Sequence, residues 1–459
     1  MRKTASDLLR ADVKPAAVHW ILLLILLAAA VPRIFLLARV SDDDFYHNDG
    51  GEYMAISRQL ASGNGFSIAI WRWHEVRPAD ARPDEVHPDF VRTPLFPLLG
   101  AGLFFLPWDV TASAKAVSLL LSLLAVYCVF LLGREIAGRE CGLWSAALFA
   151  IYPYALYYSA SWSTENLFLI LLSLSVMFLV KALRGRPGNL AWCGFFLGLT
   201  ALTRPTALLM PAFFLMLLWL RFMAAGSMKW KKRNLRLVRP LPGNFWRWTV
   251  LFLLTFSLLL LPWMYRNKRA AGSWNPATYY DGYIFWLSFS NIMTETYRTL
   301  DTPEYAEAAA KAWDEEHARR HKLLREKGIT TFLAAADQWR KWGWEQIRRS
   351  PGSAVWLLKE RFLHYWRMCP NLMILKWWQI ALIRIYFSIV FLLALLGAYR
   401  LRFRLELPVL LIPVLFGMAV SIPFLFVLRF RFPFFAPYIC IFAGISLVFL
   451  RKRTKKPAK

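Results

Sequence analysis

Residues 41–66 read SDDDFYHNDGGEYMAISRQLASGNGF, and they open a polar, acid-rich stretch that closes on HPDFVRTPLFPLL at residues 87–99. The stretch follows the first long apolar run and concentrates carboxylates, although the whole protein carries a formal net charge of +27. These acids are Asp42, Asp43, Asp44, Asp49, Glu52, Glu75, Asp80, Asp84, Glu85 and Asp89. An acidic loop in so basic a chain indicates a functional face, and the rest of the chain is organised around it.

Composition predicts a membrane protein. Of the 459 residues 58% are hydrophobic, and many lie in apolar runs long enough to cross a bilayer as helices. Lys and Arg cluster in short stretches between these runs, where they set the orientation of the chain in the membrane. The basic charge is therefore explained by topology, so we expect membrane lipids as partners and no nucleic acid.

The apolar runs predict an all-α polytopic bundle of about ten transmembrane helices. The predicted spans are 18–38, 114–132, 141–158, 167–183, 190–203, 206–220, 248–265, 377–398, 407–427 and 434–450. Residues 93–108 are apolar but short and contain three prolines, which favours an interfacial or re-entrant helix. The basic loop 221–247 and the positive-inside rule place both termini in the cytoplasm.

This topology divides the chain into three predicted parts. Residues 1–266 form a transmembrane core with the first outer loop, 40–92. Residues 267–375 form an outer-face loop whose tryptophans and arginines are typical of juxtamembrane helices in the interface. Residues 376–459 form the C-terminal transmembrane helices and a basic cytoplasmic tail.

The sequence does not indicate a metal or a disulfide framework. Its five cysteines have neither zinc nor disulfide spacing. His47, His74 and His87 lie beside acids in the first loop, but no two share the helical spacing of metal ligands. We therefore expect no cofactor and no required divalent metal.

Asp49 precedes Tyr53 by four residues at the start of a short amphipathic helix that ends at Gly63. One interpretation is a capping box, with Asp49 as N-cap and Glu52 at the third helical position. The other is a carboxylate held at the membrane surface for chemistry. Both interpretations hold at once, and the sequence leaves them open.

Positive charge at the outer ends of spans departs from the inside bias and indicates a ligand. These arginines are Arg92, Arg204, Arg266, Arg429 and Arg431. A guanidinium suits phosphate because it donates two parallel hydrogen bonds. The alternative is that an arginine at the end of a span only extends its charged group into the membrane interface. Glu165 begins a later span, where it either complements a helix capped by Ser163 or Thr164 or serves as a second site acid.

The order of several short motifs carries a resemblance that extends over nearly the whole chain. The motifs are Arg33, Asp49-x3-Tyr53, SGNGF, RTPLFPLL, STENLF, LTRPTALLMP, PWMYRNKRAAGSWNP and LRFRFPFFAPY. In this order they resemble the bacterial branch of the protein O-mannosyltransferase and aminoarabinose transferase superfamily, which are membrane glycosyltransferases of the GT-C fold. Many relatives have a second acid directly after the Asp, whereas this chain has Gly50 and reaches its next acid at Glu52.

The resemblance implies a multi-pass enzyme of the bacterial cytoplasmic membrane that transfers a hexosyl- or pentosyl-type sugar from a polyprenyl-phosphate donor on the outer face. It places Asp49 near the reacting centre and an acid at Glu165. Such a donor has a good leaving group, so the reaction needs a carboxylate base and cations for the phosphate. We expect the carboxylates of Asp49, Glu52 and Glu165 to take part in catalysis, with Asp49 as the base. We expect Tyr53 and the five arginines to bind the substrate.

One direct displacement predicts inversion at the anomeric carbon. The acceptor, a glycan, a lipid or a protein, stays open. A transporter or flippase of lipid-linked sugars is the alternative from another class, although such proteins usually show two related halves and this sequence shows none. An oligosaccharide polymerase or ligase is the remaining alternative.

Overall fold

The computed structural model describes residues 14–47, 49–72, 74–77, 81–226, 245–300, 302, 305–367, 376–424 and 428–454. Over these ranges the regular secondary structure is helical apart from one short antiparallel pair, in which β1 (Ser67–Ile68) pairs with β2 (His87–Pro88). The helices are α1 (Pro15–Arg39), α2 (Asp42–Phe45), α3 (Asp49–Ala61), α4 (Leu95–Leu103), α5 (Val110–Ala137), α6 (Arg139–Ala150), α7 (Pro153–Tyr157), α8 (Glu165–Leu183), α9 (Asn189–Thr203), α10 (Met210–Gly226), α11 (Phe245–Ala271), α12 (Asp281–Phe289), α13 (Asn291–Thr299), α14 (Tyr305–Glu326), α15 (Phe332–Arg349), α16 (Pro351–Trp366), α17 (Trp377–Arg400), α18 (Glu406–Ser421) and α19 (Leu428–Thr454).

Six of the described helices are long and apolar enough to cross a membrane, namely α1, α5, α8, α11, α17 and α19. Three shorter apolar helical segments accompany them: α9, α18 and the stretch Pro205–Leu220, which opens with a 3-10 turn before α10. The predicted class, an all-α polytopic membrane protein, is confirmed. Residues 227–244, most of the basic loop used to orient the chain, lie outside the described residues, as does Cys369.

The predicted span 141–158 is broken in the structure. Helix α6 ends at Ala150 and α7 begins at Pro153. Tyr152 between them is extended, with φ −64° and ψ 122°, because the ring of a following proline clashes with a helical residue before it. The predicted short helix at 93–108 is α4, nine residues long. It packs against α3 rather than crossing the bundle.

Helices from the N- and C-terminal parts share one apolar core. Helix α19 packs on α6 and α17, while α5 packs on α6 and α8, and α9 on α8 and α11. The α17–α19 contact is close, because a Cβ on Gly397 would lie 2.0 Å from the carbonyl oxygen of Phe442. Small residues at such a crossing let two helix backbones approach within a membrane. The C-terminal helices are thus integral to the bundle that supports the first outer loop.

Two arginines buried in the described part of the chain bind helix ends rather than carboxylates. Arg33 donates to the carbonyl oxygen of Ala150 at 2.9 Å, where α6 ends, and to Ser122 at 2.7 Å. Arg361 donates to the carbonyl oxygen of Ile422, just past α18, at 3.2 Å. The last carbonyls of a helix lack partners and carry partial negative charge, so each guanidinium satisfies groups that burial would otherwise leave unpaired.

The two regions predicted to lie outside meet at one end of the bundle. Helices α12 to α16 build a second core around Trp286 and Trp339, and Val76 of the first loop belongs to it. The indole nitrogen of Trp339 donates to the carbonyl oxygen of His74 at 3.3 Å. The backbone N–H of Tyr279 donates to the carbonyl oxygen of Phe90 at 2.9 Å. The first loop is therefore held between the bundle and this outer layer.

Candidate active site

Asp49 stands at the first residue of α3, and each of its carboxylate oxygens faces a different arginine. Oδ1 lies 2.6 Å from Nη2 of Arg92, and Oδ2 accepts a hydrogen bond from Nη2 of Arg429. The two arginines come from the end of the first loop and from the start of α19. The Asp49 side chain keeps 28% of its surface exposed, so a substrate can reach it.

Glu165 joins this site from the first residue of α8. Its side chain is fully buried, and Oε1 lies 3.1 Å from Nη2 of Arg204 and 2.8 Å from Nε of Arg429. A buried carboxylate is retained as a charge only when it is paired, and two guanidinium groups supply that pairing here. Arg429 thus bridges Glu165 and Asp49.

Glu52 extends the site on the other side of Asp49. Its Oε2 accepts from Nε of Arg92 at 3.0 Å and from Nε of Arg72 at 2.5 Å. The Tyr53 ring lies beneath Arg92, with 5.1 Å from the guanidinium carbon to the ring centroid, within the range of cation–π attraction. A continuous chain of opposite charges results. This acid–arginine network consists of Arg204, Glu165, Arg429, Asp49, Arg92, Glu52 and Arg72.

The structure shows what the acids at the two helix starts bind. The side chains of Asp49 and Glu52 both bind arginines. At α8 the N-cap Thr164 makes no side-chain capping bond, and Glu165 also binds arginines. The first turns of α3 and α8 therefore hold these carboxylates in place, and the arginines bind them.

The charges hold one another ionised. Burial would raise the pKa of Asp49, but the charges of Arg92 and Arg429 outweigh it and hold that pKa well below its usual range. Burial alone would lower the pKa of Arg92, yet Asp49 and Glu52 raise it well above its ordinary value. In the unliganded protein Asp49 is a carboxylate at any ordinary pH, but one of low basicity.

Arg431 is one of the five arginines predicted to bind the substrate, but the structure places it away from Asp49. It donates to the backbone carbonyl oxygens of Tyr365 and Arg367, beside the end of α16. Arg429 and Arg431 both lie within α19. Two residues along an α-helix differ by about 200° in direction, so Arg429 and Arg431 face opposite ways.

Arg266 also lies outside the acid–arginine network. Its Nη2 donates to the carbonyl oxygen of Phe66 at 2.7 Å, and its guanidinium lies over the rings of Phe66, Phe90 and Trp263 at 5.1–5.2 Å. It lines an open cleft beside the β-hairpin together with Asn64 and His87.

Arg72 is not among the site residues predicted from the sequence, yet it holds the far end of the network. It contacts Glu52, Glu75 and Asp89 at 2.5, 2.9 and 2.5 Å. The available signal was a group of arginines, Arg72, Arg77 and Arg82, near the middle of a loop rich in acids, but sequence alone does not show which of those acids Arg72 contacts.

Gly50 is required by close packing, which explains the absence of a second acid directly after Asp49. A Cβ at position 50 would lie 2.8 Å from the carbonyl oxygen of Trp162. That backbone is fixed in turn, because Trp162 N–H donates to the carbonyl oxygen of Phe45 at 2.9 Å. No side chain fits here unless the backbone shifts, so Glu52 supplies the neighbouring acid.

The remaining acids and histidines of the first loop are dispersed. Asp42 pairs with Lys115 at 2.8 Å in the exposed helix α2. His47 is exposed, whereas His74 is buried against Tyr280 and Tyr283. Among the described residues, no three His, Cys, Asp or Glu side chains are grouped to hold a metal ion. Independence of metal stays a prediction.

Residues 87–238 match the family described as dolichyl-phosphate-mannose-protein mannosyltransferase. This segment contains Arg92, Glu165 and Arg204 but neither Asp49 nor Arg429. No curated protein sequence matches the chain at a significant level. The resemblance inferred from the order of motifs is therefore confirmed by a match over part of the chain.

The fold is similar to that of a solved membrane glycosyltransferase. The apo oligosaccharyltransferase of Archaeoglobus fulgidus superposes with a TM-score of 0.56 at 15% identity, covering 95% of this chain and 51% of that one. The same enzyme, AglB, in complex with an inhibitory peptide and a dolichol-phosphate gives 0.52 at 15% identity, covering 95% and 52%. This chain thus spans about half the length of the oligosaccharyltransferases that it matches. The predicted GT-C-type fold is confirmed.

Proposed function

We propose that this GT-C-type bundle transfers one sugar from a polyprenyl-phosphate donor to an acceptor on the outer face of the bacterial cytoplasmic membrane, with Asp49 as the base. One observation carries the proposal. Arg92 and Arg429, from opposite ends of the chain, meet on the partly exposed carboxylate of Asp49. A base and two phosphate-binding groups are thereby assembled at one point.

The relatives support the choice of donor. The matching family is named for a mannose carried on dolichyl phosphate, and AglB was solved with a dolichol-phosphate. Both carriers are polyprenyl phosphates. A guanidinium group donates the same parallel hydrogen bonds to a phosphate as to a carboxylate. Such a phosphate can therefore replace the Asp49 carboxylate on Arg92 and Arg429.

Phosphate binding also prepares the base. While Asp49 occupies both arginines its basicity is low. When the donor phosphate takes over hydrogen bonds from Arg92 and Arg429, Asp49 loses positive neighbours and gains a negative one, so its pKa rises. A base whose pKa lies nearer the working pH accepts a proton more effectively. Donor binding therefore converts an inert carboxylate into a general base.

The reaction is a single displacement. The acceptor hydroxyl oxygen forms a bond to the anomeric carbon as the bond from that carbon to the phosphate oxygen breaks. The hydroxyl proton passes to Asp49, and polyprenyl phosphate leaves on Arg92 and Arg429. One displacement inverts the anomeric carbon. The two guanidinium groups supply the positive charge that the leaving phosphate requires, so no divalent metal is expected.

The other members of the network hold these groups in place. Glu165 holds Arg429, and Arg204 holds Glu165, because the buried carboxylate of Glu165 is paired with both arginines. Tyr53 and Glu52 hold Arg92. The transferred group is a hexosyl- or pentosyl-type sugar, and the acceptor is a glycan, a lipid or a protein.

The test is mass spectrometry of surface glycans, surface proteins and lipids from cells that produce the parent protein or its Asp49→Asn variant. We expect products heavier by one sugar only with the parent. Identical spectra, with both proteins present in the membrane, would contradict glycosyl transfer through Asp49.

A further inference from the structure

The most heavily buried charge cluster outside the reacting groups centres on Arg72. Its side chain is only 5% exposed, and its three guanidinium nitrogens point to three different carboxylates. Nε faces Glu52, Nη1 faces Glu75 and Nη2 faces Asp89. The side chain of Asp89 is fully buried. Three acids around one cation favour its planar fork, because the guanidinium places a separate nitrogen against each carboxylate, whereas the three donors of a lysine share one nitrogen.

Two routes lead from Arg72 to Arg92. The first runs through Asp89, whose Oδ2 is 2.5 Å from Nη2 of Arg72 and whose Oδ1 accepts the backbone N–H of Arg92 at 2.8 Å. This route fixes the position of the Arg92 main chain. The second runs through Glu52, whose Oε2 contacts Nε of both arginines at 2.5 and 3.0 Å. This route sets the side chain.

Arg92 is therefore fixed at both its backbone and its guanidinium. Its Nη2 lies 2.6 Å from Asp49. We propose that Arg72 is a positioning residue for sugar transfer, which aims Arg92 at Asp49 and at the donor phosphate through Asp89 and Glu52. This inference rests on the proposed function, since it assigns Arg92 to the phosphate.

Charge makes the same point. Without Arg72, Glu52, Glu75 and Asp89 would face one another, and a buried carboxylate with no cation is strongly destabilised. Arg92 is the remaining cation in contact with Glu52, so we expect it to be drawn toward these acids and away from Asp49. The loss of Arg72 then acts on donor binding by displacing Arg92.

The experiment is a double-mutant cycle on the binding of polyprenyl phosphate to the full-length protein in lipid nanodiscs. Arg72→Gln should raise the Kd by about tenfold, a size typical of coupled neighbours. Arg92→Lys should raise it as well. The double variant should bind about as weakly as Arg92→Lys alone, because Arg72 acts through Arg92. Independent effects would instead multiply, and that result would overturn the proposal.

Arg340→Gln is the matched control. Arg340 also bridges two carboxylates in the outer layer, Asp281 at 2.8 Å and Asp337 at 2.7 Å, but the ion pairs of Arg92 among the described residues are with Asp49 and Glu52 instead. It should leave the Kd unchanged and combine with Arg92→Lys without coupling. If Arg72→Gln does not fold, Arg72→Lys carries the same test with the charge kept, and its effect must likewise vanish in the Arg92→Lys background.

The outcomes separate this inference from the proposed function. A parent protein that binds polyprenyl phosphate but forms no glycoside contradicts sugar transfer and leaves the Arg72–Arg92 coupling as measured. A parent that transfers sugar, with multiplying effects at positions 72 and 92, contradicts only the role of Arg72.

Discussion

Arg429 donates a hydrogen bond to Asp49 across 380 residues of sequence. Asp49 opens α3 in the first loop, and Arg429 lies in the first turn of α19. This pair joins the N-terminal and C-terminal parts of the chain. Glu165, from a helix between them in sequence, also contacts Arg429. A site built in this way forms only when the whole bundle has folded.

Arg429 and Arg431 provide an internal comparison. Arg429→Lys keeps the charge but loses the fork that reaches both Asp49 and Glu165. One hydrogen bond between charged groups contributes about 1.5–3 kcal/mol, so the Kd for polyprenyl phosphate should rise by about tenfold or more.

Arg431→Lys is the control two residues away. Because Arg431 binds the carbonyl oxygens of Tyr365 and Arg367, its replacement should lower the thermal midpoint and leave the Kd near the parent value. Equal loss of binding in the two variants would show that Arg429 has no special role at the phosphate.

The pH dependence of turnover tests the release of Asp49 by the donor. A base must be deprotonated, so activity falls as pH drops through its pKa. The arginines hold that pKa well below its usual range in the free enzyme, which kcat/KM reports, whereas kcat reports the donor complex. The acid limb of kcat should therefore lie at higher pH than that of kcat/KM. Superimposed limbs would mean that the donor leaves the Asp49 environment unchanged.

Gly50 and Gly51 test the packing behind Asp49. A methyl group at position 50 would lie 2.8 Å from the carbonyl oxygen of Trp162, whereas one at position 51 would lie 3.5 Å from that of Tyr46, an ordinary contact. Gly50→Ala should cost about 1–3 kcal/mol through overpacking and lower the yield of folded protein. Gly51→Ala should be tolerated, since alanine favours the helix. The yield of monodisperse protein measures both, and equal yields would argue against the tight contact at Gly50.

Sides of the membrane are tested with single cysteines on a cysteine-free background. An impermeant thiol reagent applied to intact cells should label positions 62 and 314, which are exposed in the first loop and in α14. It should not label position 227 in the basic loop, predicted to be cytoplasmic. Labelling of position 227 would reverse the orientation and place the site inside.

The sequence predicts much of this molecule because apolar length and basic linkers are local properties. The spans around residues 18–38, 167–183 and 377–398 each appear as one helix within a few residues of prediction. Asp49 and Glu165 were recognisable because each is an acid in the first turn of a helix at the end predicted to lie outside. The break before Pro153 was not predicted, although a proline within an apolar run favours a helix boundary before it.

Pairing across the chain was not predictable from residue type alone. Arg429 and Arg431 are the same type of residue, two positions apart. Only the directions in which α19 points their side chains decide that Arg429 contacts Asp49 and Arg431 contacts the end of α16. Arg72 was missed for the same reason, since its three partners are set by the path of an irregular loop. Such contacts depend on tertiary geometry rather than on periodicity.

The most direct measurement of the central claim is the single-turnover rate of sugar transfer by Asp49→Asn. Asparagine keeps the size of the side chain but is not a base, and removal of a general base typically costs on the order of a hundredfold to ten-thousandfold in rate. We expect a folded variant that binds polyprenyl phosphate and transfers sugar slower by that factor, while the nearby control Asp44→Asn loses far less. Transfer by Asp49→Asn at close to the parent rate would contradict the assignment of Asp49 as the base.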